Sequence, residues 1–256
     1  MNVTLVDHMG NDSSIVQAAR VSYGEGTKSV NEDRQLIRYL MRHWHTTPLE
    51  MVEFKFHVKV PIFVARQWLR HRTASVNELS ARYSVVKDEY WLPEEYRNQS
   101  KVNKQCSSNE TFEDDSVLKS QKYSCDLAFE VYEGLLERGI SRELARIHLP
   151  QSAFTEFYWK IDLHNLFHFL RLRMHDHAQK EIRDCACKIF ELVKPIVPVA
   201  CEAFEDYRLN CVTFTGPELK AIQSGKTDHL SKGEKLEYEQ KKKCLLSRQT
   251  ECMTSE

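Results

Sequence analysis

The sequence predicts a mixed α/β protein of the α+β type, and three observations carry that reading. Residues 52 to 60 alternate Val, Glu, Phe, Lys, Phe, His, Val, Lys, Val, the period-two signature of a strand with one buried face. Stretches with apolar side chains at helical spacing stand on both sides of it. The length, 256 residues, fits one substantial domain.

Each element has its own local reason. Residues 11 to 23, NDSSIVQAARVSY, bring Ile15, Ala18, Ala19 and Ser22 to helical spacing after a cluster of capping residues, which predicts an early helix. A second follows in EDRQLIRYLMRHWH, where Leu36, Ile37, Leu40 and Met41 form one stripe that ends before Pro48. After the strand, Pro61 stands where a helix begins, and IFVARQWLRHR continues without a breaker through Arg72. Residues 97 to 122 are polar, lack steady periodicity, and read as an insertion or loop. A third helix is expected over Tyr123 to Arg138, with Gly139 as its stop. The fourth takes Asp162 as N-cap and runs long, through LHNLFHFLRLRMHDHAQKEIRDCACKIFELV to Pro195. Residues 216 to 256 mix Lys, Glu, Ser and Gln with few apolar side chains. The expected organisation is therefore one domain over 1 to 215 and a polar, flexible tail over 216 to 256.

Composition narrows the chemistry. Hydrophobic residues at 41%, charged ones at 29% and a net charge of -1 describe a soluble globular protein with no overall attraction to nucleic acid or anionic membrane. A polyanion must meet a local patch. The 8 glycines form neither GxGxxG nor GxxxxGK[ST], the loops that bring backbone close to phosphates. The 8 cysteines follow no export leader and include no CxxC, so they read as reduced, structural thiols of a cytoplasmic protein. No apolar run reaches the roughly 18 residues that span a bilayer.

The densest polar constellation is Arg66, Gln67, Arg70, His71, Arg72, Ser75, Asn77, Glu78, Ser80 and Arg82, interleaved with Trp68 and Leu69. Cations at 70, 71 and 72 on a helix point to different sides, so some must meet a buried partner or a ligand. An anionic ligand satisfies them. Ser75, Ser80, Asn77 and the Arg82 fork add the donors that phosphate oxygens take, and Glu78 accepts from ribose hydroxyls or holds the arginines. The plainer reading is structural: Ser75-x-x-Glu78 fits a capping box, and arginines after a helix neutralise its C-terminus. Nucleic-acid binding fits less well, because the patch is single and short.

The stretch RHRTASVNELSARYS, Arg70 to Ser84, resembles the flavin-dependent thymidylate synthases, matching their pattern RHRxxSxNExSxR at all eight fixed positions. VPIFVARQWLRHR, HTTPLE from His45, RELARIHLP from Arg142 and LHNLFHFLRLRMHDHAQ from Leu163 are similar to the same family, so the resemblance covers about residues 11 to 205. It implies a mixed subunit with a central, mainly antiparallel sheet flanked by long helices. It further implies a homotetramer holding FAD and deoxyuridylate (dUMP) where subunits meet. The implied reaction is reductive methylation of dUMP to thymidylate (dTMP). 5,10-Methylenetetrahydrofolate would give the carbon, and NADPH would reduce the flavin. None of the 7 prolines precedes a cysteine, so the Pro-Cys-His nucleophile common in the thiol-dependent thymidylate synthases is missing.

By the same resemblance, dUMP would meet Gln67, Trp68, Leu69 and Arg70, then Glu78, Leu79, Ser80, Ala81 and Arg82. Ser80 and Arg82 would lie near its phosphate, joined by Arg146. Arg173 matches the arginine that activates the pyrimidine by stabilising charge developing around N3; a competing reading pairs it with Asp176 or Asp184 along its helix. FAD would meet Ser22, Thr47, Arg70, His71, Arg72, Glu78, Asp162, His164 and His168, with His45 beside the flavin as a second catalytic candidate. His43-x-His45 and His175-x-His177 lack consistent third and fourth ligands, so no metal is expected. Two positions depart from the family: Met51, where histidine is frequent, and His168, where some relatives carry asparagine. Met51 and the insertion motivate a rival reading, a nucleotide- or RNA-binding protein without catalysis.

Overall fold

The structure, a computed structural model, describes residues 1–21, 30–100, 107–112 and 114–253. It divides into two units, Met1–Phe204 and Glu205–Glu256. In the first, β1 (Asn2–Met9), α1 (Asp12–Arg20), α2 (Val30–Arg42) and a 3-10 turn (Thr47–Met51) lead to β2 (Glu53–Pro61) and α3 (Ile62–Trp68). Next come β3 (Ser75–Glu78), the hairpin β4 (Tyr96–Gln99) and β5 (Ser107–Phe112), α4 (Asp115–Glu137), α5 (Arg142–Ala145) and a second 3-10 turn (Arg146–His148). β6 (Phe154–Asp162), α6 (Leu163–Arg173), α7 (Lys180–Val193) and α8 (Pro198–Phe204) complete the unit.

One four-stranded sheet, in the order β1-β2-β6-β3 with every neighbour antiparallel, gives the expected fold class. The alternation in β2 works as read: Phe54, Phe56, Val58 and Val60 are fully buried, each contributing about 1.5–3 kcal/mol. Its partner β6 buries Phe157, Trp159 and Ile161 while Tyr158 faces out, so the run Phe-Tyr-Trp hides the alternation. β1 buries only Val3 and carries a register shift between Leu5 and Asp7. Neither strand was legible from local pattern.

Four boundaries differ from expectation. α3 stops at Trp68, so Arg70, His71 and Arg72 follow the helix instead of ringing it. The segment read as a loop holds the hairpin and the start of α4, whose N-cap Asp114 accepts from the Ser116 N–H at 2.8 Å. Ser75 and Glu78 belong to a strand, which removes the capping-box reading. The long fourth helix is two helices separated at residues 174–179, where Ala178 N donates to the His175 carbonyl (2.8 Å) and His177 N to the His175 ring (3.1 Å). Asp162 caps the first of them, accepting from Asn165 N at 2.9 Å, and Gly139 (φ +79) follows α4 as expected.

The second unit, read as a polar tail, carries α9 (Gly216–Ser224) and α10 (Lys232–Met253). Ala221, Leu230 and Tyr238 are buried together with Phe214 against them. Glu218 joins the helices: it accepts from Thr215 at the start of α9 and from Lys241 of α10 at 2.8 Å. Among the described residues no helix is long and apolar enough to cross a membrane.

Candidate active site

The site is built on the end of α3. Val64, Ala65 and Trp68 are buried, and the Trp68 ring stands edge-on to Phe157 (5.6 Å between centroids) and Trp159 (5.3 Å) and tilts against Phe169 of α6 (5.0 Å). This aromatic packing holds the ends of α3 and α6 together. One turn beyond Phe169, Arg173 reaches across. Its Nε donates to His71 Nε2 at 3.0 Å and its Nη2 to the Gln67 carbonyl at 3.1 Å. That carbonyl lies in the last turn of α3, where helical acceptors lack an intrahelical donor.

His71 is an acceptor in this contact, so its proton sits on Nδ1 and that edge remains a donor. Its ring also meets Phe169 (4.9 Å) and His168 (6.0 Å) edge-on. Burial first, then the charges of Arg173 and His168, lower its pKa to about 4. It is neutral at physiological pH. Burial first, then the nearby Arg70, lower the Arg173 pKa from its ordinary value, but a guanidinium stays protonated.

Gln67, Arg70 and Arg173 line a cleft of about 650 Å3 together with Phe63, Gln151 and Gln179, and Arg66 stands at its side. Among the described residues none of these three arginines has a carboxylate partner. Asp176 instead faces Arg183 at 3.6 Å and Asp184 pairs with Lys180, so the helix-pairing reading of Arg173 fails. Three uncompensated guanidinium groups facing one cleft call for an anion.

The remaining expected residues fall into three places. Trp68 is enclosed in the core, so its side chain cannot reach a ligand; Leu69 is the C-cap of α3. The second place is the turn after β3. Ser80 Oγ accepts from the Arg82 N–H (3.3 Å), exposed Leu79 and half-buried Ala81 flank it, and Arg82 faces Glu143 at 3.6 Å. Arg142 donates to the Tyr83 carbonyl (3.1 Å), which brings the segment carrying half-buried Arg146 against this turn. Glu78 accepts from the Thr155 hydroxyl at 2.6 Å and, among the described residues, holds no arginine. The third place is the 3-10 turn and the start of α6. His45 and Thr47 are exposed there, His45 tilting against Tyr39 after Trp44 turns the chain at φ 61. Asp162 spends both carboxylate oxygens on Asn165, while His164 is half-buried and His168 exposed. Ser22 lies outside the described residues.

The donor set suits a flavin dinucleotide: Arg70, Arg72 and the His71 Nδ1–H have no carboxylate partner among the described residues, and a diphosphate and ring carbonyls take such donors. Sequence reasoning missed Phe63, Gln151 and above all Gln179. Its signal was present, because Gln179 closes the very stretch LHNLFHFLRLRMHDHAQ that carries Arg173.

Comparison with known proteins agrees with this geometry. A family profile described as thymidylate synthase complementing protein matches residues 4–199. The chain is 57% identical over 239 residues to a flavin-dependent thymidylate synthase of Dictyostelium discoideum, covering 91% of this chain and 78% of that one. It is 57% identical over 221 residues to one of Thermus thermophilus, with 86% and 82% covered. Among solved structures, a UMP/dUMP methylase of Streptomyces cacaoi bound with 5-Br dUMP is similar with a TM-score of 0.76 and 35% identity, covering 81% of this chain and 96% of that one.

Proposed function

The chain belongs to the flavin-dependent thymidylate synthase family, and on that premise we propose that it converts dUMP to dTMP with FAD as its flavin. The proposed carbon donor is 5,10-methylenetetrahydrofolate and the proposed reductant NADPH. The balance is dUMP, methylenetetrahydrofolate, NADPH and one proton in; dTMP, tetrahydrofolate and NADP+ out. FAD, when bound and reduced by NADPH, would supply the hydride that turns the transferred methylene into methyl. The observation that carries the reading is Arg173, anchored through Nε and Nη2. Its remaining amine is left to face a pyrimidine in the cleft.

In this reading Arg173 stabilises the negative charge that grows around N3 and its flanking carbonyls during attack by C5, and its rigid anchoring removes reorganisation from the step. Gln67 and Arg70 orient the nucleotide. Ser80, Arg82 and Arg146 take its phosphate; the exposed ion pair of Arg82 with Glu143, worth about 0–1 kcal/mol, is readily exchanged for a phosphate. Arg70, His71, Arg72, Glu78, Thr47, His164 and His168 hold FAD, with Ser22 and Asp162 also assigned to it and His45 beside the flavin. We propose that a homotetramer in the cytoplasm completes these sites between subunits.

Incubation with dUMP, methylenetetrahydrofolate, FAD and NADPH tests the proposal, with dTMP as the readout. The expected protein is yellow, and its flavin absorbance bleaches when NADPH is added without oxygen. A colourless protein with no affinity for FAD, or an FAD-bound one that forms no dTMP, overturns it.

A further inference from the structure

Gln179 is the N-cap of α7, yet its side chain makes no hydrogen bond to that helix. N-cap side chains usually accept from their own helix N–H groups. Here the Oε1 accepts from Nε2 of Gln67, 112 positions away on α3. The contact consumes one N–H of Gln67 and one oxygen lone pair of Gln179. Left over, side by side, are the Gln67 carboxamide oxygen and the Gln179 NH2 group. Reversing both carboxamides exchanges which residue donates and swaps the free groups between the two residues, so one free NH2 group beside one free carboxamide oxygen remains in either amide orientation.

Both residues line the cleft that holds Arg173. Gln67 is held twice, because its carbonyl accepts from Arg173 while its side chain meets Gln179. The cations that follow Gln179 are already occupied: Lys180 pairs with Asp184, and Arg183 donates to the Asp176 carbonyl at 3.0 Å. A neutral donor beside a neutral acceptor is poor for phosphate and complementary to an adjacent N–H and C=O on a ring. We propose that Gln179 is a specificity-determining residue, reading with Gln67 the amide edge of a heterocycle bound in the cleft beside Arg173. The inference rests on the reaction proposed above and deepens it. Uracil, a pterin and a nicotinamide carboxamide all carry that edge, and kinetics separates them.

The test compares Gln179→Leu and Gln179→Glu in the flavin-loaded full chain, measuring KM separately for dUMP, methylenetetrahydrofolate and NADPH, with flavin content and Tm alongside. Leucine removes donor and acceptor. Glutamate still accepts from Gln67 but has no free N–H, so a merely structural clasp survives it. The expected result is a rise of about three- to tenfold in KM for one of the three substrates in both variants, with flavin content and Tm unchanged. The substrate whose KM moves identifies the ring. Parent constants in Gln179→Glu with a defect only in Gln179→Leu would reduce the contact to a clasp and overturn the proposal, as would unchanged or uniformly raised constants. A parent protein that forms no dTMP overturns the reaction itself and this inference with it; an active parent with unmoved constants overturns this inference alone.

Discussion

Two clefts meet at Gln179, and both are lined by three cations. The first, of about 650 Å3, holds Arg66, Arg70 and Arg173; the second, of about 470 Å3, lies between the β4–β5 hairpin and the start of α7 and holds Arg97, Lys180 and Arg183. In the second each cation has its acid: Arg97 with Glu181 at 2.6 Å, Lys180 with Asp184, and Arg183 with Asp176. In the first, among the described residues, none has. The difference teaches that a count of cations does not identify a site. Charges that already have partners hold the fold together, whereas charges facing one another without an acid raise the energy of the empty site and favour binding of an anion.

The largest break in that contrast is Arg173→Ala. It should lower kcat at least about a hundredfold, the size of losing a preorganised donor at developing charge, while flavin stays bound, because Arg173 is assigned to the pyrimidine. Steady-state turnover and flavin absorbance measured together decide it, and full activity would remove Arg173 from the mechanism. In the second cleft the effect should appear in stability instead. Arg97→Leu strands Glu181, which is buried with one carboxylate oxygen already lacking a partner among the described residues. The expected loss is on the order of 3 kcal/mol in urea unfolding with kcat/KM retained. An unchanged midpoint would show that the pair is not holding the fold.

A pH series sharpens the contrast further. The folded state keeps His71 neutral down to about 4, below the ordinary imidazole value of 6.5, so the unfolded chain binds the extra proton between those values. Stability contributed by this group is therefore complete above about pH 6.5 and declines as pH falls toward 4, by less than about 1.4 kcal/mol per pH unit. His71→Gln, which keeps an acceptor but cannot titrate there, should flatten that part of the profile; an identical slope in both proteins would remove His71 as its source. Lys180→Ala should do least. The pair with Asp184 is i,i+4 and half-exposed on both sides, so urea unfolding should move by no more than about 0.5 kcal/mol.

How much of this could be read in advance depends on how far the deciding contacts reach. The alternation of β2, the Asp162 cap and the Gly139 stop are local, since each depends on a residue and neighbours within a few positions. The guanidinium-rich motif was equally plain, and with it the family resemblance and the positions of Arg70, His71 and Arg173. β1 and β6 were not, because an edge strand with a bulge and a strand with aromatics on both faces lose the period-two pattern that marks burial on one side. The break between α6 and α7 carries no glycine or proline; just before it, Arg173 is anchored to partners 102 and 106 positions away.

Residue types and short-range spacing thus specified the strand, the caps, the family motif and the chemistry those residues can perform. Which cations lack an acid, which nitrogen of His71 bears the proton, and that Gln179 meets Gln67 were settled by chain packing. Those are facts about neighbours in space, and a linear sequence with a half-hidden strand order does not state which distant side chains share one cleft.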